Sequence, residues 1–266
     1  MPVISLMTDF GLKDGNVGVM KGVIWQIAPD SQISDLSHLI APQNIREAAL
    51  ILARSAPYFP DFSIHVVVVD PGVGTARRPM AAQIGRQYYV GPDNGTITLL
   101  LEQAEKTGQK TRFVHLDQPK YWLPNVSYVF HGRDIFAPVA ARLAAGTPLN
   151  DLGTPFDNPI RLELPRPEQT ASGWRGEVIH IDHFGNVASN IRVENLADAL
   201  KAPEKITVRL GGTEIHGLVN TFGERAPGEL VALLGSTGNL IVSVVNGNAQ
   251  ARLDAKVGDS FEAIVE

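Results

Sequence analysis

The chain contains no cysteine. Disulfides, thiolate metal sites and a cysteine nucleophile are therefore excluded, and the absence fits a cytoplasmic protein. No run approaches the ~18 consecutive apolar residues that a membrane span needs. Val3–Met7 are apolar, but the run is short, follows no basic region and stops at Asp9, which argues against a secretory leader. Positive charge is not in excess either: 23 Lys and Arg stand against 28 Asp and Glu, for a net −5. A general basic surface for nucleic acid is excluded. Also missing are a Walker-type phosphate loop, HExxH, H-x-H and the G-x-S-x-G elbow of serine hydrolases.

What is present suits a folded core. The 266 residues are 44% apolar and 19% charged, enough for one large domain or two smaller ones. The first half alternates. Strands are expected at Val3–Met7, Ile33–Leu36, Ser63–Val69 and Arg112–Leu116, with a hairpin at Met80–Ile84 and Gln87–Val90 around Gly85-Arg86. Helices are expected at Asp14–Ile27, Gln43–Ser55, Gly95–Lys106 and Asp134–Ala145. This alternation predicts an α/β domain with a mostly parallel sheet covered on both faces. From Thr147 to Gly173 five prolines and no period read as an extended linker. Beyond it come seven short β runs: Gly176–Ile181, Asn186–Ile191, Ile206–Leu210, Glu214–Val219, Leu230–Leu234, Leu240–Val245 and Ser260–Val265. They predict a smaller antiparallel β-barrel. The expected division is 1–167 for the α/β domain with its linker and 168–266 for the barrel.

Two strings carry ionisable groups where a strand should end. VVVVDPGVGTARR (Val66–Arg78) offers Asp70 with Arg77 or Arg78, and VFHGRD (Val129–Asp134), read as a second strand end, offers His131. Open α/β sheets bind ligands beyond the carboxyl ends of their strands. A carboxylate, a guanidinium and an imidazole meeting there can position and polarise water. Asp70 also fits a plain turn, His131 a structural role, and Asp134 a cap on the following helix. Asp9 ends the first strand and can accept hydrogen bonds from ribose hydroxyls. Asp14 is either a second substrate-binding carboxylate or a helix cap. In IDHFGN, Asp182 and Asn186 suit a ligand ammonium and a base edge, or a β-turn.

Five segments, TDFGLKDGNVGVMKGVI, VVDPGVGTARR, YYVGPDNG, FHGRDIFAPVAA and DHFGN, occur in this order. With them the chain resembles the S-adenosyl-L-methionine (SAM) hydrolases that form adenosine, also called SAM hydroxide adenosyltransferases. These are related to SAM-dependent fluorinases and chlorinases. The resemblance implies an N-terminal α/β domain, a C-terminal β-barrel and a homotrimer, with SAM bound between the N-terminal domain of one subunit and the C-terminal domain of its neighbour. SAM is then the substrate, with no cofactor and no metal. The resemblance makes Asp70, Arg77 and His131 a catalytic triad, with Arg78 as a further neighbour. It assigns Asp9 to the ribose, Asp182 to the methionine ammonium and Asn186 to adenine. Ser236, Val245 and Asn246 fall where the C-terminal domain closes over substrate. The halogenases carry uncharged residues at the Asp and His positions, and the fluorinase has Ser where Gly132 stands here, so water is the expected nucleophile. Asn16, Thr237 and Ile241 depart from the related enzymes at the methionine end. Three other functions stay open: a metal-dependent hydrolase using Asp9, Asp70 and His131, a non-catalytic SAM or adenosine binder, and a halide-using transferase.

Overall fold

A computed structural model describes residues 2–265, which fall into two compact units meeting between Leu162 and Glu163. The first unit contains β1 (Val3–Thr8), α1 (Asn16–Ile27), β2 (Gln32–Ser37), α2 (Ile45–Ser55), β3 (Ile64–Val68), β4 (Pro79–Ile84) and β5 (Gln87–Pro92). It continues with α3 (Thr98–Lys106), β6 (Thr111–His115), α4 (Ala137–Ala144) and β7 (Thr154–Phe156). The seven strands form one sheet in the order β2-β1-β3-β5-β4-β6-β7. The first four are mutually parallel; β4 reverses, β6 reverses again and β7 once more, so five of the seven run one way.

β3 is central because its sequence permits nothing else. Val66, Val67, Val68 and Val69 are all 3% exposed or less. Each buried valine contributes about 1.5–3 kcal/mol of transfer free energy, and an uninterrupted apolar run needs cover on both sheet faces. That cover is supplied on one face by Met20 and Ile24 of α1 with Val139 and Ala140 of α4. On the other face, Ala48 and Leu52 of α2 and Leu101 of α3 enclose Val67 and Val69. One polar group lies within β3: His65, 1% exposed, whose Nδ1 is 2.6 Å from Ser5 Oγ and whose ring meets Phe59 edge to face. Burial depresses the His65 pKa from 6.5 to about 4, against a smaller raising contribution from Gln87.

Three expectations require correction. The helix after β1 begins at Asn16, not Asp14: Gly15 precedes it at φ 73°, a left-handed conformation that glycine adopts without penalty. Asp14 therefore does not cap it. VFHGRD does not end a strand. Residues 123–130 form a loop with Tyr128 and Val129 exposed, and His131 opens a helical segment. Its apolar run is interrupted upstream by Pro124-Asn125, and the Ser127 amide bonds a side chain rather than a β-ladder. Nor is the stretch from Thr147 to Gly173 without elements. β7 pairs with β6, and β8 (Glu168–Thr170) pairs with β9 (Gly173–Ile181). The first part of this stretch is held by Arg78, described below.

The second unit also contains β10 (Val187–Arg192), β11 (Ile206–Leu210), β12 (Thr213–His216), β13 (Leu230–Leu234), β14 (Asn239–Val244) and β15 (Ser260–Val265). All seven β runs expected from the sequence form strands. Their order is β12-β11-β15-β9-β10-β14-β13, every ladder antiparallel, with β8 added on β9. A bridge from Leu218 to Ala232 joins the ends of this series, so the sheet nearly closes into a barrel. Val178, Val208, Leu240, Val242 and Phe261 fill its interior.

Candidate active site

The carboxyl edge of the parallel strands gathers the ionisable groups of the first unit. β1 and β3 pair in register from Ile4 with Ile64 to Thr8 with Val68, so Asp9 and Asp70 leave the sheet at the same edge. Asn94, just beyond the end of β5, secures that edge by donating its Nδ2 to the Val69 carbonyl at 2.9 Å. The turn after Asp70 folds back through a Val73 N–H to Asp70 carbonyl bond and brings Arg77 alongside.

Arg77 joins the two strings. Its Nε donates to Asp70 Oδ1 at 2.8 Å and its Nη2 donates to Asp70 Oδ2, a bidentate pair. Nη2 also lies 3.0 Å from His131 Nδ1. A guanidinium has only donors, so Nδ1 is the acceptor and the imidazole is neutral with its proton on Nε2. Both partners of the ion pair are nearly enclosed, with side chains 9% and 5% exposed for Arg77 and Asp70. The Phe136 ring lies under the guanidinium at 5.2 Å. His131 has its pKa pushed below 6.5, first by burial and then by the Arg77 charge, with Asp70, Asp134 and the Ser127 backbone opposing.

The first string also lies against the residue just before the second. Gly74 adopts φ 74°, and a Cβ there would come 2.3 Å from the Tyr128 carbonyl oxygen. Gly132 is close against Met20, Phe130 and Val68, which brings His131 to the end of β3. The turn Gly132–Phe136 is wider than an α-helical one, with the Ala137 N–H reaching back five residues to the Gly132 carbonyl. Such π-type turns occur often at functional sites.

Asp9 is half-buried and its Oδ2 accepts the Gln43 N–H at 2.8 Å. Asp14 is exposed in the loop before α1. Arg78 is not a neighbour of the Asp70–Arg77–His131 group. Its Nε donates to the fully buried Asp93 at 2.9 Å, its Nη1 and Nη2 bind Asn158, and its guanidinium lies 4.2 Å over Phe156. Asp93 also accepts the Ile160 N–H at 2.8 Å. Arg78 thus fastens the chain after β7 through Asp93 and Asn158.

In the second unit Asp182 and Asn186 close the β9–β10 turn on each other. Asp182 Oδ1 accepts the Phe184 and Asn186 N–H groups at 2.9 and 2.8 Å, and Oδ2 accepts Asn186 Nδ2 at 2.7 Å. Ser236 is exposed in the β13–β14 turn. Val245 is buried, with its N–H donated to the Glu229 carbonyl and its own carbonyl accepting from Gly228. Asn246 follows in a left-handed turn at φ 53°. Among the described residues no group of three or more His, Asp or Glu side chains is placed to hold a metal ion, and no helix is long and apolar enough to cross a membrane.

Sequence reading missed the supports. Asp134 is fully buried and binds Ser127 and Arg133, so it is not a helix cap; Asn94 and Asp93 lie inside the PDNG string that follows β5. Their only sequence signal was the placement of polar residues beside apolar runs.

Fold and site together define an α/β protein with an added antiparallel barrel, carrying a buried carboxylate–guanidinium–imidazole group at its strand edge. The family model of the SAM hydroxide adenosyltransferase N-terminal domain matches residues 4–153, and that of the C-terminal domain matches residues 176–262. The chain belongs to the SAM hydroxide adenosyltransferase family. A protein of Salinispora tropica named (R)-S-adenosyl-L-methionine hydrolase is 43% identical over 97% of this chain and 96% of its own. A fluorinase of Nocardia brasiliensis is 28% identical over 99% of this chain and 97% of its own. The crystal structure of an uncharacterized conserved protein from Thermotoga maritima superposes with a TM-score of 0.91 at 37% identity, covering 98% of this chain and 99% of that one.

Proposed function

We propose that the chain hydrolyses S-adenosyl-L-methionine to adenosine and L-methionine, without a metal or cofactor. The observation that carries this reading is the Arg77 guanidinium shared between Asp70 and His131. Family membership and the hydrolase name of the Salinispora relative support the substrate. That name specifies the R configuration at sulfur, and the same epimer is the substrate proposed here.

In the proposed step the oxygen of a water or hydroxide forms a bond to ribose C5′ as the C5′–S bond breaks. The bonding pair passes to sulfur and neutralises the sulfonium, so methionine leaves as a thioether. No general acid is needed for such a leaving group. The protein must hold the nucleophile in line and receive its proton. Asp70 can do the second: each carboxylate oxygen bound to Arg77 retains a lone pair for an O–H donor. His131, with Nδ1 accepting from Arg77 and its ring hydrogen-bonded to the Ser127 backbone, keeps the guanidinium in place against Asp70 beside the nucleophile. A charged Asp70 repels a halide, which favours water. Asp9 is assigned to the ribose, Asp14 to substrate binding in general, Asp182 to the methionine ammonium and Asn186 to adenine, with Ser236, Val245 and Asn246 enclosing the substrate. Asp182 and Asn186 would exchange part of their mutual bonding for the ligand. The proposed assembly is a homotrimer, which sedimentation of the purified protein tests.

Incubation with each SAM epimer in ¹⁸O-water tests the chemistry. The label is expected at the 5′ oxygen of adenosine, at an unchanged rate with chelator present. Unlabelled adenosine, 5′-haloadenosine in the presence of halide, binding without turnover, or chelator-sensitive turnover would each overturn the reading.

A further inference from the structure

The proposed mechanism leaves unexplained a charged carboxylate with no exposed surface, three residues from His131. Asp134 is fully buried. Its Oδ2 accepts the Ser127 N–H at 2.8 Å and the Ser127 hydroxyl at 2.9 Å, while Arg133 donates Nε to Oδ1 at 2.6 Å and Nη2 to Oδ2 at 3.1 Å. Its backbone carbonyl accepts the Leu123 N–H at 2.9 Å. One residue therefore holds the loop from Leu123 to Ser127 at both ends. Burial alone would raise the Asp134 pKa, but Arg133 and the two Ser127 bonds outweigh it and keep the carboxyl ionised.

Ser127 passes this constraint on. Its hydroxyl oxygen accepts the Phe130 N–H at 3.1 Å, and its backbone hydrogen-bonds the His131 imidazole. The loop concerned is otherwise weakly held, since Tyr128 and Val129 are 82% and 79% exposed. Burying a carboxylate to hold such a loop is costly for stability alone, because well-packed apolar groups commonly serve as well. A fixed ring orientation has no such substitute.

We propose that Asp134 is a positioning residue: through Ser127 it holds His131 in the orientation and tautomer in which Nδ1 faces Arg77. The proposal rests on the hydrolytic reading of Asp70, Arg77 and His131, so its test needs a readout independent of turnover. ¹⁵N NMR of the His131 ring provides that, since it distinguishes protonated from unprotonated Nδ1 with no substrate present. Asp134→Asn removes the charge. Should that variant fail to fold, Ser127→Ala removes only the hydroxyl bonds, and Ser127→Thr restores them.

Ser127→Ala and Asp134→Asn are expected to lower kcat about 10–100-fold, as loss of an outer partner of a functional histidine does in metal sites. KM should stay within about twofold, and the single His131 tautomer should give way to a mixture, while Ser127→Thr keeps both properties of the wild type. If both loss variants fold with unchanged kcat and an unchanged tautomer, Asp134 is only structural and the proposal fails. If His131→Ala retains full turnover, the hydrolytic reading itself fails, whatever the NMR result.

Discussion

His65 makes the folded state sensitive to acid in a way that is computable from one buried ring. Its pKa is about 4 in the folded protein against 6.5 for an ordinary histidine. The folded pKa is the lower one, so the unfolded chain binds the extra proton between these values. The stability contributed by a neutral His65 is complete above pH 6.5 and is lost as pH falls towards 4. Over the full interval this amounts to about 3 kcal/mol, and by pH 5 to about 2 kcal/mol relative to pH 7. That is a large share of the ~5–15 kcal/mol that holds a typical domain folded. Urea unfolding at pH 7 and pH 5, followed by fluorescence of Trp25 and Trp122 in a Trp174→Phe background, reads the first unit. His65→Gln can still hydrogen-bond Ser5 but cannot titrate. The variant should therefore lose about 2 kcal/mol less than its parent between the two pH values. Equal losses in both proteins would refute the assignment of a buried neutral imidazole.

Asp70→Asn and His131→Ala are each expected to lower kcat by about 10²–10⁴-fold while SAM binding, read by calorimetry, changes little; equal loss of both would remove their assigned roles. The acid limb of the pH–rate profile should lie below pH 6.5, because burial and Arg77 depress the His131 pKa and activity is lost only when the ring is protonated against a guanidinium. A limb at or above 6.5 contradicts that environment. Arg78→Met should destabilise the first unit by about 3–5 kcal/mol by leaving Asp93 buried without its cation. Its kcat, measured on folded protein at low temperature, should remain near the wild-type value, and a selective loss of kcat would return Arg78 to the active site. Asp182→Ala should raise KM for SAM more than it lowers kcat, and an unchanged KM would confine Asp182 to its turn.

The most legible parts of the sequence were those where burial and periodicity coincide. β3 could be read from four consecutive valines, and the β4–β5 hairpin from the Gly85-Arg86 turn between two apolar runs. The barrel strands were legible from short apolar runs punctuated by glycine and asparagine. VFHGRD misled because apolarity does not guarantee burial: Val129 faces outward, and the loop is organised by Asp134. Arg77 and Arg78 are adjacent in sequence yet serve different ends. Their partners lie 7 and 54 residues away for Arg77, and 15 and 80 for Arg78. No local pattern encodes such separations. Asp70 and His131 were expected to converge from two strand ends; Arg77 bridges them, and His131 arrives on a helix instead.

The left-handed Gly74 turn beneath Tyr128 bears on how this sequence can change over time. Any side chain introduced at Gly74 must displace the Tyr128 backbone, which lies three residues before His131. A neutral drift in the Asp70 segment is thus transmitted to the imidazole, and the two segments can be altered safely only as a pair. Exchanging either one alone with a halogenase should give a hybrid worse at both chemistries, whereas exchanging both together preserves their fit.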